Sequence, residues 1–349
     1  MILIRVDGNE TIGLGHMMRC LSVADAMKKH GTQVMFVTAD DKCAALLDRR
    51  GYPHITLNTD YSEMDGETDR LLELIAEYQP DAVLVDSYFV TESYLRRVKS
   101  AARLIYMDDL AAFPYPADVL VNYNIFADPE VYQQLYHGKE CPSMLLGTAY
   151  TPLRAEFSTV LPHAQPVTAN RILVSTGGAD SLHIALQLVR YLSEHADTFC
   201  SYRFTLIVGA SNQDLDAIRS IADELPFVSI ASNVQNMSEV MLQHDMAISA
   251  AGSTLYELCA CAIPTVTYIL ADNQAPAAMV FDDKGIMINV GDVRTLPRFI
   301  ETTLKTVLSL SVNKQKRTRM GEAARQVTDG KGADRLASAF LRLTDEIIM

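Results

Sequence analysis

The sequence predicts an α/β fold of two domains, each a parallel sheet flanked by helices, and three observations carry that prediction. A strand, a glycine-bearing turn and a helix follow one another over residues 2–31 and again over 171–192. Continuous apolar runs such as AVLV within 81–90 have the composition of strands buried on both faces, as parallel strands are. A stretch with two prolines and no periodicity, 158–169, separates the halves as a linker. The expected division is therefore a first domain over 1–157, the linker, a second domain over 170–330 and a terminal helix over 331–349.

Composition sets the outer limits. With 349 residues, 49% of them hydrophobic, the chain can bury two sizeable cores. The formal charge of −13 argues against a nucleic-acid surface. No apolar run reaches the roughly 18 residues needed to span a bilayer, and MILIRVDGNE enters a strand-like pattern at once, so a cytoplasmic location is expected. Six cysteines show no C-x-x-C pair; they read as small buried residues, and no metal site is expected.

In the first domain ILIRV reads as a strand, and a helix with apolar positions at Met17, Leu21, Ala24 and Met27 closes at Gly31. Gly13-x-Gly15-His16 lacks the third glycine of a dinucleotide fingerprint, so no cofactor is expected there. His16 falls at the helix start, where the dipole disfavours an imidazolium and so favours the form a general base requires. For a lone histidine beside glycines, a helix-capping role is the more ordinary reading of the residues alone.

QVMFVTAD gives the second strand, a helix around 43–50 ends at Gly51, and the acidic stretch 61–69 reads as a solvated loop before a helix over 70–78. DAVLVDSYFV then forms a buried strand whose end carries Asp86, Ser87 and Tyr88, placed to meet a ligand. ARLIYMDDLAAF is another strand; Asp108 and Asp109 at its end point apart and suit no metal. DVLVNYNIF puts Asn122 and Asn124 on one face. Arg154, before the linker, fits either a phosphate contact or an ordinary helix position.

The second domain repeats the pattern. RILVSTGGAD is a strand and glycine turn with Gly177, Gly178 and Asp180, and RFTLIVGAS, DLDAIRSIADEL and VSIA continue the alternation. His244 before Asp245 reads as a surface turn, and Lys314, Lys316, Arg317 and Arg319 as a solvated helix face. The most informative stretch is 248–274. AIS ends a buried strand, Ala250-Ala251-Gly252 turns, and a helix opens at Ser253 and Thr254 with no bulky side chain to exclude a phosphate from its first N–H groups. Glu257 fits two readings: a capping box with Thr254, or a carboxylate that accepts both ribose hydroxyls.

IGLGHMMRCL, STGGAD and SAAGSTLYELC with LADNQ together resemble the UDP-sugar hydrolases of the pseudaminic acid pathway, over most of residues 2–280. The resemblance implies a GT-B type fold, two Rossmann-like βαβ domains facing a cleft, in which the terminal helix often crosses back onto the first domain. It implies UDP held by Gly252, Ser253, Thr254, Glu257, Asn273 and Gln274, with the main chain of Asn236 and Met237 reading the base.

By the same resemblance His16 and Tyr88 are catalytic. Asp7, Arg19, Asp86, Asn122 or Asn124, Arg154 and the Gly13/Gly15 and Gly177/Gly178/Asp180 loops meet the substrate. Arg5 belongs to the same loop region, and Arg5 and Arg19 fit surface positions equally. The family usually shows Asp-His-Tyr where this chain has Asp86-Ser87-Tyr88, so only the flanking residues carry over. The implied reaction is inverting hydrolysis of UDP-2,4-diacetamido-2,4,6-trideoxy-β-L-altrose, with water as acceptor and neither cofactor nor metal. A GT-B transferase, a silent UDP-sugar sensor and a hydrolysing UDP-sugar 2-epimerase are the alternatives.

Overall fold

A computed structural model of the protein describes residues 1–9, 12–161, 164–177, 180–209, 212–232 and 234–345. The chain divides into two units, Met1–Ala155 with Lys331–Met349, and Glu156–Gly330.

In the first unit the apolar run ILIRV becomes β1 (Ile2–Val6), buried at every position because strands pair with it on both sides. The alternation continues through α1 (Gly15–Lys29), β2 (Val34–Thr38), α2 (Ala44–Arg50), β3 (His54–Thr56) and α3 (Thr68–Tyr78). It is completed by β4 (Ala82–Asp86), α4 (Glu92–Ala101), β5 (Leu104–Met107), β6 (Val119–Asn122), α5 (Pro129–Leu135) and β7 (Ser143–Leu146). Local chemistry sets the boundaries. Gly51 ends α2 in the left-handed conformation, φ 69°, which glycine adopts at no steric cost. Thr91 caps α4 by accepting the Tyr94 N–H at 3.0 Å, and Asp128 caps α5 just before a proline that has no N–H to satisfy.

The second unit runs β8 (Arg171–Ser175), α6 (Ile184–Glu194), α7 (Ala196–Phe199), β9 (Arg203–Ile207), α8 (Leu215–Ala222), β10 (Val228–Ala231) and α9 (Met237–Leu242). It ends with β11 (Met246–Ala250), α10 (Thr254–Ala260), β12 (Thr265–Ile269), α11 (Ala275–Asp283), β13 (Ile288–Asp292), α12 (Phe299–Ser311) and α13 (Lys314–Arg325). The last helix, α14 (Gly332–Asp345), belongs to the first unit and packs on α1, burying Leu336, Ala337 and Phe340 completely.

All strand pairs within both sheets are parallel, in the orders β3-β2-β1-β4-β5-β6-β7 and β10-β9-β8-β11-β12-β13. Each order reverses once, between β1 and β4 and between β8 and β11. The C-terminal edge of a sheet at such a reversal is the position where open α/β sheets bind ligands.

Three sequence expectations are corrected here. The acidic stretch 61–69 is not simply solvated: Glu67 is 1% exposed and accepts both Nε and NH2 of Arg5 from β1 at 2.6 and 2.7 Å. Arg5 is therefore no surface residue, and Asp7, Tyr94 and Thr59 complete the buried network. Arg317 is also buried, not part of a solvated face. It donates to the carbonyls of Leu310, Ser311, Pro166 and Val167, where the C-terminal end of α12 supplies the negative dipole its charge needs. His244 is 6% exposed with Nδ1 on the Val240 carbonyl, and the adjacent Asp245 accepts the N–H groups of Asn170 and Arg171, so this segment is interior and not a surface turn.

Candidate active site

His16 and Arg19 are three residues apart on α1, the spacing that puts side chains on one helix face. That face meets the end of β4, where Val6 of β1 pairs with Asp86. Both residues converge on Asp86: His16 Nδ1 lies 2.6 Å from Oδ1, while Arg19 Nε and NH2 reach Oδ2 and Oδ1 at 2.6 and 2.5 Å. The capping alternative for His16 does not hold. Leu14 occupies the N-cap of α1 and makes no side-chain cap bond.

Asp86 is 1% exposed. Burial alone would push its carboxyl up, but the charges and hydrogen bonds of Arg19 and His16 outweigh it and hold the group well below the usual carboxylate range. An ionised carboxylate only accepts, so the Nδ1 beside it carries the proton. Arg19 also stands 3.0 Å from Nδ1, yet a guanidinium only donates and cannot compete as acceptor for that proton.

Arg19 continues to the end of β5. Its NH1 reaches Asp109 at 2.8 and 3.1 Å and the Tyr123 hydroxyl at 3.0 Å. Burial would lower the guanidinium, but Asp109 and Asp86 raise it well above its ordinary value, so it is a fixed positive charge. Burial pushes the Tyr123 phenol up to about 12, with Arg19 opposing. Tyr88, on the loop after β4, stands edge-on to the His16 ring with centroids 4.5 Å apart and donates its hydroxyl to Asp109 at 3.0 Å.

The two asparagines sit one layer deeper. Asn122 is 2% exposed; its amide donates to the Tyr132 hydroxyl at 2.8 Å and accepts from the main chain and side chain of Asn124. Asn124 uses its second proton on Asp109 at 2.6 Å. Tyr132 in turn donates to Asp108 at 2.5 Å, whose carboxyl burial pushes up. Asn122 is thus a support of the site. Asp7 is another: it accepts the Ala39 N–H at 2.7 Å and Arg5 NH1 at 2.5 Å.

Sequence reasoning did not single out Asp109 and Tyr123 as partners of Arg19. Their signal is positional: like Asp86, they end or follow strands at the ligand edge. Arg154 is half-buried in the first unit.

In the second unit, two helix starts flank the reversal point and differ in one respect. Asp180 accepts the N–H groups of Ile184 and Ala185 at 2.9 and 3.0 Å, so the positive end of α6 is filled by its own carboxylate. Burial pushes that carboxyl up, against the pull of those bonds. Gly177 takes φ +87° there, and Gly178 lies outside the described residues.

At α10 the N-cap is Ser253, which makes no side-chain cap bond; Thr254 is already the first helical residue, so the expected box with Glu257 is not the cap. The Ser253 and Thr254 N–H groups donate to no partner among the described residues. Gly252, Thr254 and Glu257 are half-buried, Ser253 is exposed, Asn273 is exposed, and Gln274 folds its Oε1 onto the Leu270 N–H at 2.9 Å. The Met237 N–H is taken by Glu156 Oε1 at 2.7 Å, and Asn236 caps α9.

Among the described residues no helix is long and apolar enough to cross a membrane. Residues 171–336 match the glycosyltransferase family 28 C-terminal domain. An uncharacterized protein of Methanocaldococcus jannaschii is 24% identical over 76% of this chain, and the match spans 54% of that protein, about half its length. The spore coat polysaccharide biosynthesis protein SpsG of Bacillus subtilis is 22% identical over 99% of both chains. The crystal structure of MurG from Acinetobacter baumannii superposes with a TM-score of 0.68 over 98% of this chain and 99% of that one, at 16% identity. With its seven- and six-stranded parallel sheets and this match, the chain has the two-domain α/β fold of the GT-B type.

Proposed function

We propose that the protein is an enzyme acting on a UDP-activated sugar, and that it hydrolyses the bond between the anomeric carbon and UDP. One observation carries the reading: the 2.6 Å contact of His16 Nδ1 with the ionised Asp86, which leaves Nε2 as the acceptor of a proton. In the proposed step a water oxygen attacks the anomeric carbon as its bond to the diphosphate oxygen breaks. The water's proton passes to His16 Nε2, UDP leaves with the bonding pair, and the configuration inverts.

A diphosphate is a good leaving group. The N–H groups opening α10 are suited to its charge, while α6 is closed to an anion by Asp180. The substrate proposed is UDP-2,4-diacetamido-2,4,6-trideoxy-β-L-altrose, on the strength of the sequence resemblance. A role in making a surface-polysaccharide sugar agrees with the name of the Bacillus subtilis relative.

A transferase is the second reading, favoured by the match of residues 171–336 to a glycosyltransferase domain. A proton NMR time course with the diacetamido substrate, and UDP-N-acetylglucosamine in parallel, separates the two. UDP and the inverted free sugar from the first substrate alone support hydrolysis; UDP released only when an acceptor sugar is added overturns it. His16→Asn should remove at least 100-fold of turnover and leave UDP binding within a factor of about two.

A further inference from the structure

Asp109 faces no solvent to speak of, its side chain being 10% exposed, and it holds three groups at once. Oδ2 accepts from Arg19 NH1 and from the Tyr88 hydroxyl; Oδ1 accepts from Asn124 Nδ2 and, at 3.1 Å, again from Arg19. Two of these partners border the His16 ring. Arg19 NH2 stands 3.0 Å from Nδ1, and Tyr88 covers the ring edge.

The crowded atom is Asp86 Oδ1, which receives both His16 Nδ1 at 2.6 Å and Arg19 NH2 at 2.5 Å. A guanidinium bound to Asp86 alone would centre on that carboxylate and compete with the imidazole for Oδ1. Asp109 draws the other arm of the guanidinium toward β5 and so limits that competition. Its grip on the Tyr88 hydroxyl, in turn, uses the phenolic proton and keeps the ring standing against His16.

We propose that Asp109 is a positioning residue that keeps His16 in the Nδ1–H tautomer, with Nε2 as base, by holding Arg19 and Tyr88 in place. This rests on the reading of His16 as the base, and the test separates the two. With the full chain, kcat and KM for UDP release are measured for the parent, His16→Asn and Asp109→Asn. Long-range proton–nitrogen NMR of histidine-labelled protein without substrate reports the His16 tautomer directly, and thermal melting reports folding.

The expected result is a parent in the Nδ1–H form and an Asp109→Asn variant that melts near the parent. That variant should lose about ten- to hundredfold in kcat, hold KM within about twofold, and no longer show a single tautomer. A parent-like kcat and tautomer in Asp109→Asn, with His16→Asn inactive, overturns the proposal, as does a parent already in the Nε2–H form. If His16→Asn turns over like the parent, the base assignment fails instead, and the tautomer alone decides whether Asp109 positions the ring. Should Asp109→Asn not fold, Asn124→Ser, which removes one of the three anchors, takes its place with the same readouts; unchanged values there overturn the proposal.

Discussion

His16 Nδ1 lies 2.6 Å from Asp86 Oδ1, which ties the helix after β1 to the end of β4 across the point where the first sheet reverses its order. The bond sets the tautomer of His16, so Asp86→Asn should leave the ring in place but with the wrong nitrogen protonated. Turnover is expected to fall about 10²- to 10⁴-fold, with UDP binding little changed.

The same variant has a signature in acid. The Asp86 carboxyl is held well below its ordinary range by Arg19 and His16, against burial. A depressed folded-state value means that its stabilisation is complete above the unfolded carboxylate value, about 3.9, and fades as pH falls through the window below it. Acid unfolding followed by circular dichroism should therefore be less steep below about pH 4 in Asp86→Asn than in the parent. An equal slope would mean that the carboxyl is not depressed in the folded chain.

Thiol reactivity should divide the six cysteines cleanly. The expectation that the cysteines are small buried residues holds for Cys20, Cys43, Cys259 and Cys261 and is corrected for Cys141 and Cys200, which are exposed. Burial pushes Cys43 up to about 11 and Cys261 to about 12, and raises Cys20 and Cys259 as well. Alkylation is a thiolate reaction, so iodoacetamide at pH 8 should label Cys141 and Cys200 in the native protein and all six after denaturation. Peptide mass mapping reads the outcome; native labelling of Cys20 would show that the packing behind Asp86 opens.

How much of this was legible in the sequence depends on how far apart the partners lie. The alternation of strands and helices, and the place of His16 at a helix start and of Asp86 at a strand end, follow from local periodicity and from the ligand edge of parallel sheets. His16 and Arg19 are also a local pair, readable from helix spacing. Glu67 was not legible. Its neighbours are acidic and polar, and nothing near it announces that its partner is Arg5, 62 residues away in an apolar strand. Arg317 was hidden for another reason: it sits in a basic run and its acceptors are main-chain carbonyls, which leave no trace in residue types. The role of Asp109 needed the knowledge that β5 lies beside β4, which is a fact of sheet order.

Two glycines, Gly330 and Gly332, allow no side chain. A Cβ on Gly332 would stand 2.1 Å from the Thr151 carbonyl oxygen, and one on Gly330, which also takes φ +75°, 2.2 Å from that of Phe157. Both obstacles are main chain and cannot rotate away. Gly332→Ala and Gly330→Ala should each cost upwards of about 3 kcal/mol. Gly66→Ala, which meets nothing within 4 Å, should change stability by less than about 0.5 kcal/mol. Urea unfolding of the three variants checks the contrast, and a mild effect at Gly332 would mean that the Thr151 turn gives way.

The Arg5–Glu67 pair offers the sharpest test of the buried network. Glu67 accepts two guanidinium protons and the hydroxyls of Tyr94 and Thr59 with its side chain fully excluded from water. Removing one partner leaves the other charged and buried, so Arg5→Met or Glu67→Leu alone should cost about 3–5 kcal/mol. Replacing both removes both desolvation penalties, although Asp7 and the hydroxyls of Tyr94 and Thr59 still lose a partner each. The double variant should therefore be more stable than either single one, with a coupling of at least about 2 kcal/mol in a double-mutant cycle. Simple addition of the two single costs would show that Arg5 and Glu67 do not act as a pair.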